Sequence, residues 1–401
     1  MTSFEEESKV SWSVCPKFVP AEGATRFRLV SYNMLAQSYI GFSYYSYSPS
    51  DCLYWRNRSK ATLTLLGELR SDFLCLQELD EYAFYKTRLE TYGYYSVYIQ
   101  RDGWGPDGCG IFYKHNVAEL LIKDTIEYND LAESCYDDDL GHNDDGYYDD
   151  HLGRNCVGIM AAFRLRCGPS NHIVIVANTH IFWDPWLSHV KFAQAKYLTQ
   201  RLVEFKTLVS TKFECAEPSI IVAGDFNSIP NSMVYKYLIS SHPDSKLWIE
   251  NNEAVTEVES FEEETEVESF EEETEVESDS KLWIENNEAV TEVESFEEPE
   301  VESFEEPEVE SFEEPAPIPL CSVYALVKGR EPKFTNCQPE FKDTLDYIFF
   351  SPSGLITPVS VLELPDSTTS ADVIGGLPNF YHPSDHLPLA AEFEIRKIKS
   401  A

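Results

Sequence analysis

A repeated acidic segment interrupts this sequence and limits how much of it can fold. The run DSKLWIENNEAVTEVESFEE at positions 244–263 recurs unchanged at 279–298, and positions 244–314 hold 30 acidic residues and two lysines. Such short, like-charged units with repeated prolines bury too little apolar surface to offset the entropy lost on folding. We therefore predict a disordered acidic insertion over residues 244–315, and the functional alternative is an arm that binds a basic partner.

The negative charge of the chain is confined to two stretches. The net charge is −39, and besides the insertion, positions 124–150 carry 11 acidic residues and no lysine or arginine. The rest of the chain has 29 acidic and 29 basic residues. An anionic partner such as RNA is therefore not excluded, although an acidic loop over 124–150 would repel RNA unless it points away from the binding cleft.

Features of secreted and membrane proteins are missing from this sequence. Its ten cysteines form no C-x-x-C pair, its first ten residues are acidic and polar, and no run of 18 apolar residues occurs. We expect a protein of a reducing compartment with no membrane contact. The cytoplasm is the predicted location, with the nucleus as an alternative.

Short apolar runs rich in β-branched and aromatic residues predict a sheet-rich domain. The predicted strands are 27–32, 73–76, 94–99, 109–113, 157–165, 172–177, 219–222, 345–350 and 389–395. Leucines at helical spacing predict helices over 59–70 and 187–208. Nine strands are many for one twisted sheet, so we predict an α+β fold, a two-sheet β-sandwich flanked by helices. The domain would comprise 25–243 and 316–398, after a flexible segment over 1–24.

Polar residues follow four of these runs, and others lie just inside the 345–350 run or precede the last run. The examples are Asn33, Gln77-Glu78, Asn178-Thr179-His180, Gly224-Asp225-Phe226-Asn227, Asp346 and Ser384-Asp385-His386. Each one alone is more often a turn or a helix cap. If neighbouring strands deliver them to one edge of a sandwich, however, they form a cleft of carboxylates, amides and imidazoles. Such oxygen ligands favour Mg²⁺ or Mn²⁺ and phosphoryl chemistry, which predicts a metal-assisted hydrolase.

Seven motifs in this order resemble those of a known superfamily. SYNML, LQELD, DGCGIFYK, VANTHIFWDP, VAGDFNSIP, LDYIFFSP and HPSDHLPL resemble the signatures of the endonuclease/exonuclease/phosphatase superfamily. Within it, VANTHIFWDP, DGCGIFYK and FTNCQPEFKDTLDYIFF are similar to the carbon catabolite repressor type of poly(A) deadenylase, in a short, plant-like form without leucine-rich repeats. The resemblance implies a Mg²⁺-dependent 3′-5′ exoribonuclease that shortens single-stranded poly(A) RNA, releases 5′-AMP and works with other mRNA-decay proteins.

The resemblance also assigns catalytic and metal-binding roles. Glu78 would bind the catalytic Mg²⁺, with Asn33 close to metal and phosphate, and Asp385 would serve a second metal or support the first. Asp225 would orient or deprotonate the attacking water. Asn227 would hold that water or the developing oxyanion.

Further roles concern the histidines. By the same resemblance His386 would contact the scissile phosphate while Asp346 holds its ring in one tautomer, and His180 would lie at the scissile phosphate or the leaving group.

The resemblance also implies how the bases are bound. Phe341 would stack on an adenine, Asn336 would bond the substrate and Pro185 would pack against a neighbouring base. Independently of the resemblance, Arg56, Arg58 and Lys60 could guide phosphates to the cleft, and a solvated helix start is the equal alternative.

Two other functions stay open from the sequence. The same fold also serves phosphatases and phosphodiesterases that act on a nucleotide, a dinucleotide or another phosphoester. A protein-interaction scaffold built on the acidic repeats, without catalysis, is the alternative from another class.

Overall fold

The computed structural model describes residues 11–103, 105–131, 152–166, 172–215, 217–246, 249, 314–352 and 355–396. The predicted acidic insertion lies almost wholly outside these residues, as does most of the acidic stretch 124–150. The part of that stretch that is described is not all loop, because residues 124–127 form the end of a strand. Both predictions about these acidic segments otherwise stay predictions.

Most of the described chain is organised in strands. They are β1 Trp12–Val14, β2 Thr25–Asn33, β3 Phe73–Gln77, β4 Tyr94–Gln100, β5 Gly108–Lys114, β6 Ala118–Glu127, β7 Val157–Leu165, β8 Ile173–His180, β9 Ser219–Asp225, β10 Cys321–Ser322, β11 Asn336–Cys337, β12 Lys342–Asp343, β13 Asp346–Phe350, β14 Ile356–Leu362 and β15 Leu389–Ile395. One sheet has the order β1-β14-β15-β2-β3-β5-β4, another has the order β10-β13-β9-β8-β7-β6, and β11 and β12 pair by themselves.

Helices lie between these strands. They are α1 Ser50–Leu53, α2 Trp55–Leu69, α3 Tyr82–Glu90, α4 Ser188–Phe213, α5 Met233–Ile239 and α6 Val323–Lys328, with 3₁₀ turns at Gln37–Tyr39 and Pro185–Leu187. Side-chain caps fix two starts, since Ser232 accepts from the α5 backbone and Ser322 from the α6 backbone. Among the helices that the structure describes, none has the length and apolarity of a membrane span.

The two large sheets pack face to face through aromatic side chains. Phe73 of β3 contacts Phe163 of β7, with ring centroids 5.1 Å apart, and Phe350 of β13 lies 6.1 Å from Phe393 of β15. On the outer face of the first sheet, Leu66 of α2 belongs to the same buried cluster as Val30 and Leu74. Burial of one helical stripe and of both sheet faces explains why the apolar runs are nearly continuous.

In each of two parallel strand pairs, both strands end at the same edge of their sheet. β2 runs parallel to β3 with Asn33 opposite Gln77, and β8 runs parallel to β9 with His180 opposite Asp225. Helix-containing connections link the strands of each pair, as parallel pairing requires. The polar residues that follow these strands therefore converge where the two sheets meet.

The predicted α+β sandwich is confirmed, and so are all nine predicted strands and both helices. α2 begins four residues before the predicted helix and α4 ends at Phe213. The prediction of a flexible 1–24 is wrong for Trp12–Val14, which pairs antiparallel with β14. The flanking segment is held because Cys15 donates its backbone N–H to Val359.

Candidate active site

Asp225 lies at the centre of the convergent polar residues. It ends β9, and its neighbours across the sheet are His180 on one side and Asp346 on the other. Gly224 makes this approach possible, because a Cβ there would lie 2.1 Å from the Thr179 carbonyl oxygen. The close approach of β8 to β9 thus explains why the GDFN motif has a glycine at this position.

Asn33 links the carboxylates of the two sheets. Its Nδ2 donates to Glu78 Oε1 and to Asp225 Oδ2, each at 2.9 Å. Its Oδ1 accepts from the Leu35 backbone N–H at 3.0 Å. Asn33 thus spaces the two carboxylates, and its Oδ1, an acceptor with two lone pairs, keeps one of them. Its closeness to a metal and a phosphate stays a prediction.

Glu78 occupies a backbone conformation that few side chains adopt. It follows β3 with a φ of 50°, and Asn227, two residues after β9's last residue, has a φ of 44°. Residues other than glycine hold a positive φ where surrounding contacts fix it, often at active sites. Glu78 Oε2 is fixed by the Ala36 N–H at 2.9 Å. Burial, together with the Asp385 carboxylate, raises the pKa of Glu78 to about 7.

His386 forms a charged pair with Asp346. Its Nδ1 lies 2.7 Å from Asp346 Oδ2, and the Thr335 hydroxyl donates to that same oxygen at 2.7 Å. His386 Nε2 lies 3.8 Å from Asp225 Oδ2. Burial alone lowers the pKa of His386, but the carboxylates of Asp346 and Asp225 outweigh it and raise that pKa well above its ordinary value. We infer an imidazolium at neutral pH.

His180 approaches the same carboxylate oxygen, but its surroundings favour the neutral ring and not the charged one. Its Nε2 lies 3.6 Å from Asp225 Oδ2. Burial, with the Arg101 guanidinium adding to it, lowers the pKa of His180 to about 3. Its Nδ1 is buried and finds no hydrogen-bond partner in the described part of the chain. His180 is therefore a neutral imidazole.

Two other predicted residues are held by hydrogen bonds. Asp385 Oδ2 accepts from the Tyr45 hydroxyl at 3.0 Å and from Gln338 Nε2 at 2.7 Å. Asn227 donates its backbone N–H to Asp225 at 2.8 Å and its Nδ2 to a carbonyl at 3.0 Å. An amide nitrogen has two hydrogens, so one stays available at Asn227 for water or substrate.

The residues predicted to bind bases lie on two separate loops. Asn336 of β11 forms a β-bridge with His386, and its buried Oδ1 has no hydrogen-bond partner among the residues that the structure describes. Phe341, in the turn between β11 and β12, is 43% exposed, as a stacking surface requires. Pro185 is exposed in the loop after β8. The structure brings Asn336 to the site, and base contacts at Phe341 and Pro185 stay predictions.

Basic and aromatic residues in the cleft were missed from the sequence. The cleft measures about 490 Å³, and Arg101, Arg154, Phe182 and Trp183 line it together with the catalytic carboxylates. Arg101 and Arg154 lie in loops with no polar-end pattern, so no signal singled them out. Phe182 and Trp183 stand inside the VANTHIFWDP motif, but the motif assigned them no role. The prediction that Arg58 guides phosphates is wrong, because its buried guanidinium donates to the carbonyls of Met34, Leu35 and Pro383.

The donor set fits a divalent cation. Ligating atoms of Asp225, Asp346 and His386 all lie within 4.8 Å of one another, but His386 and Asp346 are also hydrogen-bonded to each other. Glu78 and Asp225 are the better pair, since their oxygens flank one nitrogen of Asn33. Burial and the Asp346 carboxylate raise the pKa of Asp225, which marks a concentration of negative charge that a cation would relieve.

Comparisons with known proteins agree with this geometry. The profile of the Endonuclease/Exonuclease/phosphatase family matches residues 30–386. The chain is 45% identical over 392 residues to Carbon catabolite repressor protein 4 homolog 4 of Arabidopsis thaliana, covering 93% of this chain and 78% of that protein. It is 26% identical to the CCR4-Not complex 3′-5′-exoribonuclease subunit Ccr4 of Debaryomyces hansenii, covering 92% of this chain but 39% of that longer protein.

Solved structures share the fold. ANGEL2, a 2′,3′-cyclic phosphatase, superimposes with a TM-score of 0.61 at 23% identity and covers 96% of this chain and 99% of that one. The human Nocturnin catalytic domain gives 0.55 at 21% identity, over 92% of this chain and 93% of that one. The resemblance seen in the motifs, and the expectation of an enzyme, are confirmed. This chain therefore belongs to the Endonuclease/Exonuclease/phosphatase family of hydrolytic enzymes, among its carbon catabolite repressor 4 relatives.

Proposed function

We propose that this protein is a Mg²⁺-dependent 3′-5′ exoribonuclease that shortens poly(A) and releases 5′-AMP. The observation that carries the proposal is one connected cluster, in which Glu78, Asn33, Asp225, His386 and Asp346 lie in contact from one residue to the next. The relatives' names supply the reaction class, because the Debaryomyces hansenii protein is named a 3′-5′-exoribonuclease.

The residues of the cluster divide the work of phosphodiester hydrolysis. A bound Mg²⁺, held by Glu78 and Asp225, would stabilise charge on the phosphate oxygens. The Asp225 carboxylate orients the attacking water, and the imidazolium of His386 donates to the phosphate. Asp346 keeps His386 charged and in one orientation. Asn227 directs its remaining N–H to the water or the oxyanion.

Poly(A) as the substrate is supported by the loops beside the cluster. The orphaned Oδ1 of Asn336 lies next to His386 and can accept from a sugar hydroxyl or an exocyclic amine. Phe341 offers a partly exposed ring in the adjoining turn. The names of the CCR4-Not complex subunits support the further proposal that this protein contacts other mRNA-decay proteins.

The experiment is hydrolysis of a 5′-labelled oligoadenylate by the purified full chain with and without Mg²⁺. We expect stepwise shortening, 5′-AMP as the product, and a loss of about 10²- to 10³-fold in kcat for Glu78→Gln. The matched control is Glu363→Gln, which removes an exposed glutamate paired with Lys328. Undiminished Mg²⁺-dependent hydrolysis by Glu78→Gln would refute the assignment.

Substrate choice needs a second panel. Oligouridylate, oligocytidylate, NADP and abasic DNA are assayed beside oligoadenylate at equal concentration. A preference for oligoadenylate supports the poly(A) proposal. Faster turnover of NADP or another phosphoester would replace it with the phosphatase alternative.

A further inference from the structure

One wall of the catalytic cleft carries a positive charge, a half-buried aromatic ring and an exposed one that the proposed mechanism does not use. The residues are Arg154, Phe182 and Trp183, and they line the same cleft as Asp225 and His180. Phe182 and Trp183 follow Ile181, the first residue after β8, so the wall continues the strand that ends in His180. We call these three residues the basic wall.

Arg154 has unused hydrogen-bonding capacity. Its guanidinium carbon lies 5.2 Å from the centroid of the Phe182 ring, and its buried Nε has no hydrogen-bond partner within the described residues. Arg101, on the same cleft, is different because its Nε is paired with Asp107 at 3.0 Å. Among the described residues, therefore, Arg154 Nε has no partner, while Arg101 Nε is already paired.

This chemistry matches a nucleotide phosphate and its base. A guanidinium presents planar, paired donors that fit phosphate oxygens, and stacking on an aromatic ring fixes its plane. Trp183 is 67% exposed, which is a large flat face for an unpaired base. The carboxylates of Glu78 and Asp225 line the same cleft, so phosphates beyond the scissile one are drawn toward the positive charge of Arg154.

We propose that the basic wall is a nucleotide subsite, in which Arg154 binds the phosphodiester adjoining the scissile one and Trp183 stacks on the base. The subsite makes the enzyme favour single-stranded RNA with several phosphates over a substrate with one. The proposal rests on the proposed function only for the identity of that RNA. Binding of the oligonucleotide itself is measured separately from hydrolysis.

The test compares Arg154→Gln with Arg164→Gln in the full chain. Arg164 lies near the far end of β7 and pairs with Glu119 at 3.6 Å, so its variant removes one equal charge away from the cleft. Fluorescence anisotropy with a labelled oligoadenylate in EDTA gives Kd without hydrolysis. We expect Kd to rise about tenfold for Arg154→Gln, and the slope of log Kd against log salt to fall by about 0.7. For Arg164→Gln we expect neither change.

Turnover supplies the second readout. With Mg²⁺, the ratio of kcat/KM for adenylate hexanucleotide over the dinucleoside monophosphate ApA should fall about tenfold in Arg154→Gln. Arg154→Lys keeps the charge but loses the planar fork of donors. Its ratio of kcat/KM values should lie between those of Arg154→Gln and the wild type. Equal losses on both substrates, or an unchanged Kd in a variant whose melting temperature matches that of the wild type, would overturn the proposal.

The two proposals fail in distinguishable ways. If the wild type hydrolyses no RNA, the proposed function fails, and the anisotropy comparison still decides the role of Arg154. If RNA is hydrolysed but Arg154→Gln binds and selects as the wild type does, only the subsite is wrong.

Discussion

The two histidines of the cleft approach the same oxygen of Asp225 from opposite walls and differ in charge. His386 lies 3.8 Å and His180 lies 3.6 Å from Asp225 Oδ2. The first is paired with Asp346 and has a raised pKa, whereas the second is buried beside Arg101 and has a pKa of about 3. Burial lowers the pKa of both rings, and the difference between them teaches that neighbouring carboxylates outweigh this effect only at His386.

The difference in charge between His386 and His180 suggests different roles for the two rings in the proposed reaction. In the proposed function, His386 supplies the charge that complements the phosphate at the bond that breaks. His180, Arg154 and Trp183 line the same cleft and supply neutral and cationic groups for the rest of the nucleotide. On this proposal the scissile phosphate lies between a protonated and a neutral imidazole.

Removing the carboxylate charge that keeps His386 protonated should change kcat more than any other substitution that tests the difference between the two histidines. We expect Asp346→Asn to lower kcat about 10⁴-fold, because the ring loses both its orientation and the carboxylate that stabilises the imidazolium. Steady-state hydrolysis of oligoadenylate measures it, with Asp366→Asn, an exposed aspartate, as control. A loss below tenfold would mean that Asp346 only supports the fold.

Replacing each histidine in turn should give unequal losses. We expect His386→Gln to lower kcat by about 10²- to 10⁴-fold, as for a proton-donating group. For His180→Gln we expect about tenfold, as for one neutral hydrogen bond. Parallel measurements of kcat and KM for the two variants decide it. Equal losses would contradict the assigned difference in charge.

The smallest expected effect is on stability. The pH dependence of the free energy of unfolding should have opposite signs for the two histidines. The folded-state pKa of His180 is depressed, so its stability contribution is present above about pH 6.5 and is lost as pH falls toward 3. The folded-state pKa of His386 is raised, so its contribution is present below about pH 6.5 and is lost at higher pH. Each changes the free energy of unfolding by up to about 1.4 kcal/mol per pH unit within its window.

Urea unfolding in EDTA tests this sign. Relative to the wild type, His180→Gln should flatten the dependence of stability on pH below 6.5, and His386→Gln should flatten it above 6.5. A flattening of both curves on the same side of pH 6.5 would show that the two rings share one charge state.

Much of the fold follows from local pattern, and the missed elements show where pattern is weak. β6 was missed because its AELLIKDTIE run alternates with charged residues and is half exposed. β14 contains Pro358, which lowers strand propensity although the strand tolerates it beside a register shift. β1 has three residues, too few for any period, and its pairing depends on β14 from the far end of the chain.

The sequence by itself determined nine of the described strands, the two longest helices, and the identity of the residues at the strand ends. These depend on periodicity, turn chemistry and motifs, which are properties of neighbours along the chain. Asp225, Glu78 and His386 can therefore be named from the sequence alone.

Only the tertiary structure decided what those residues do to one another. Asn33 meets Asp225 across 192 positions and Asp346 holds His386 across 40. The role of Arg58 as a buried clamp likewise depends on a distant segment, since its guanidinium donates to the Pro383 carbonyl. The physical reason is that burial and nearby charge set protonation and hydrogen bonding, and both come from residues far apart in the chain.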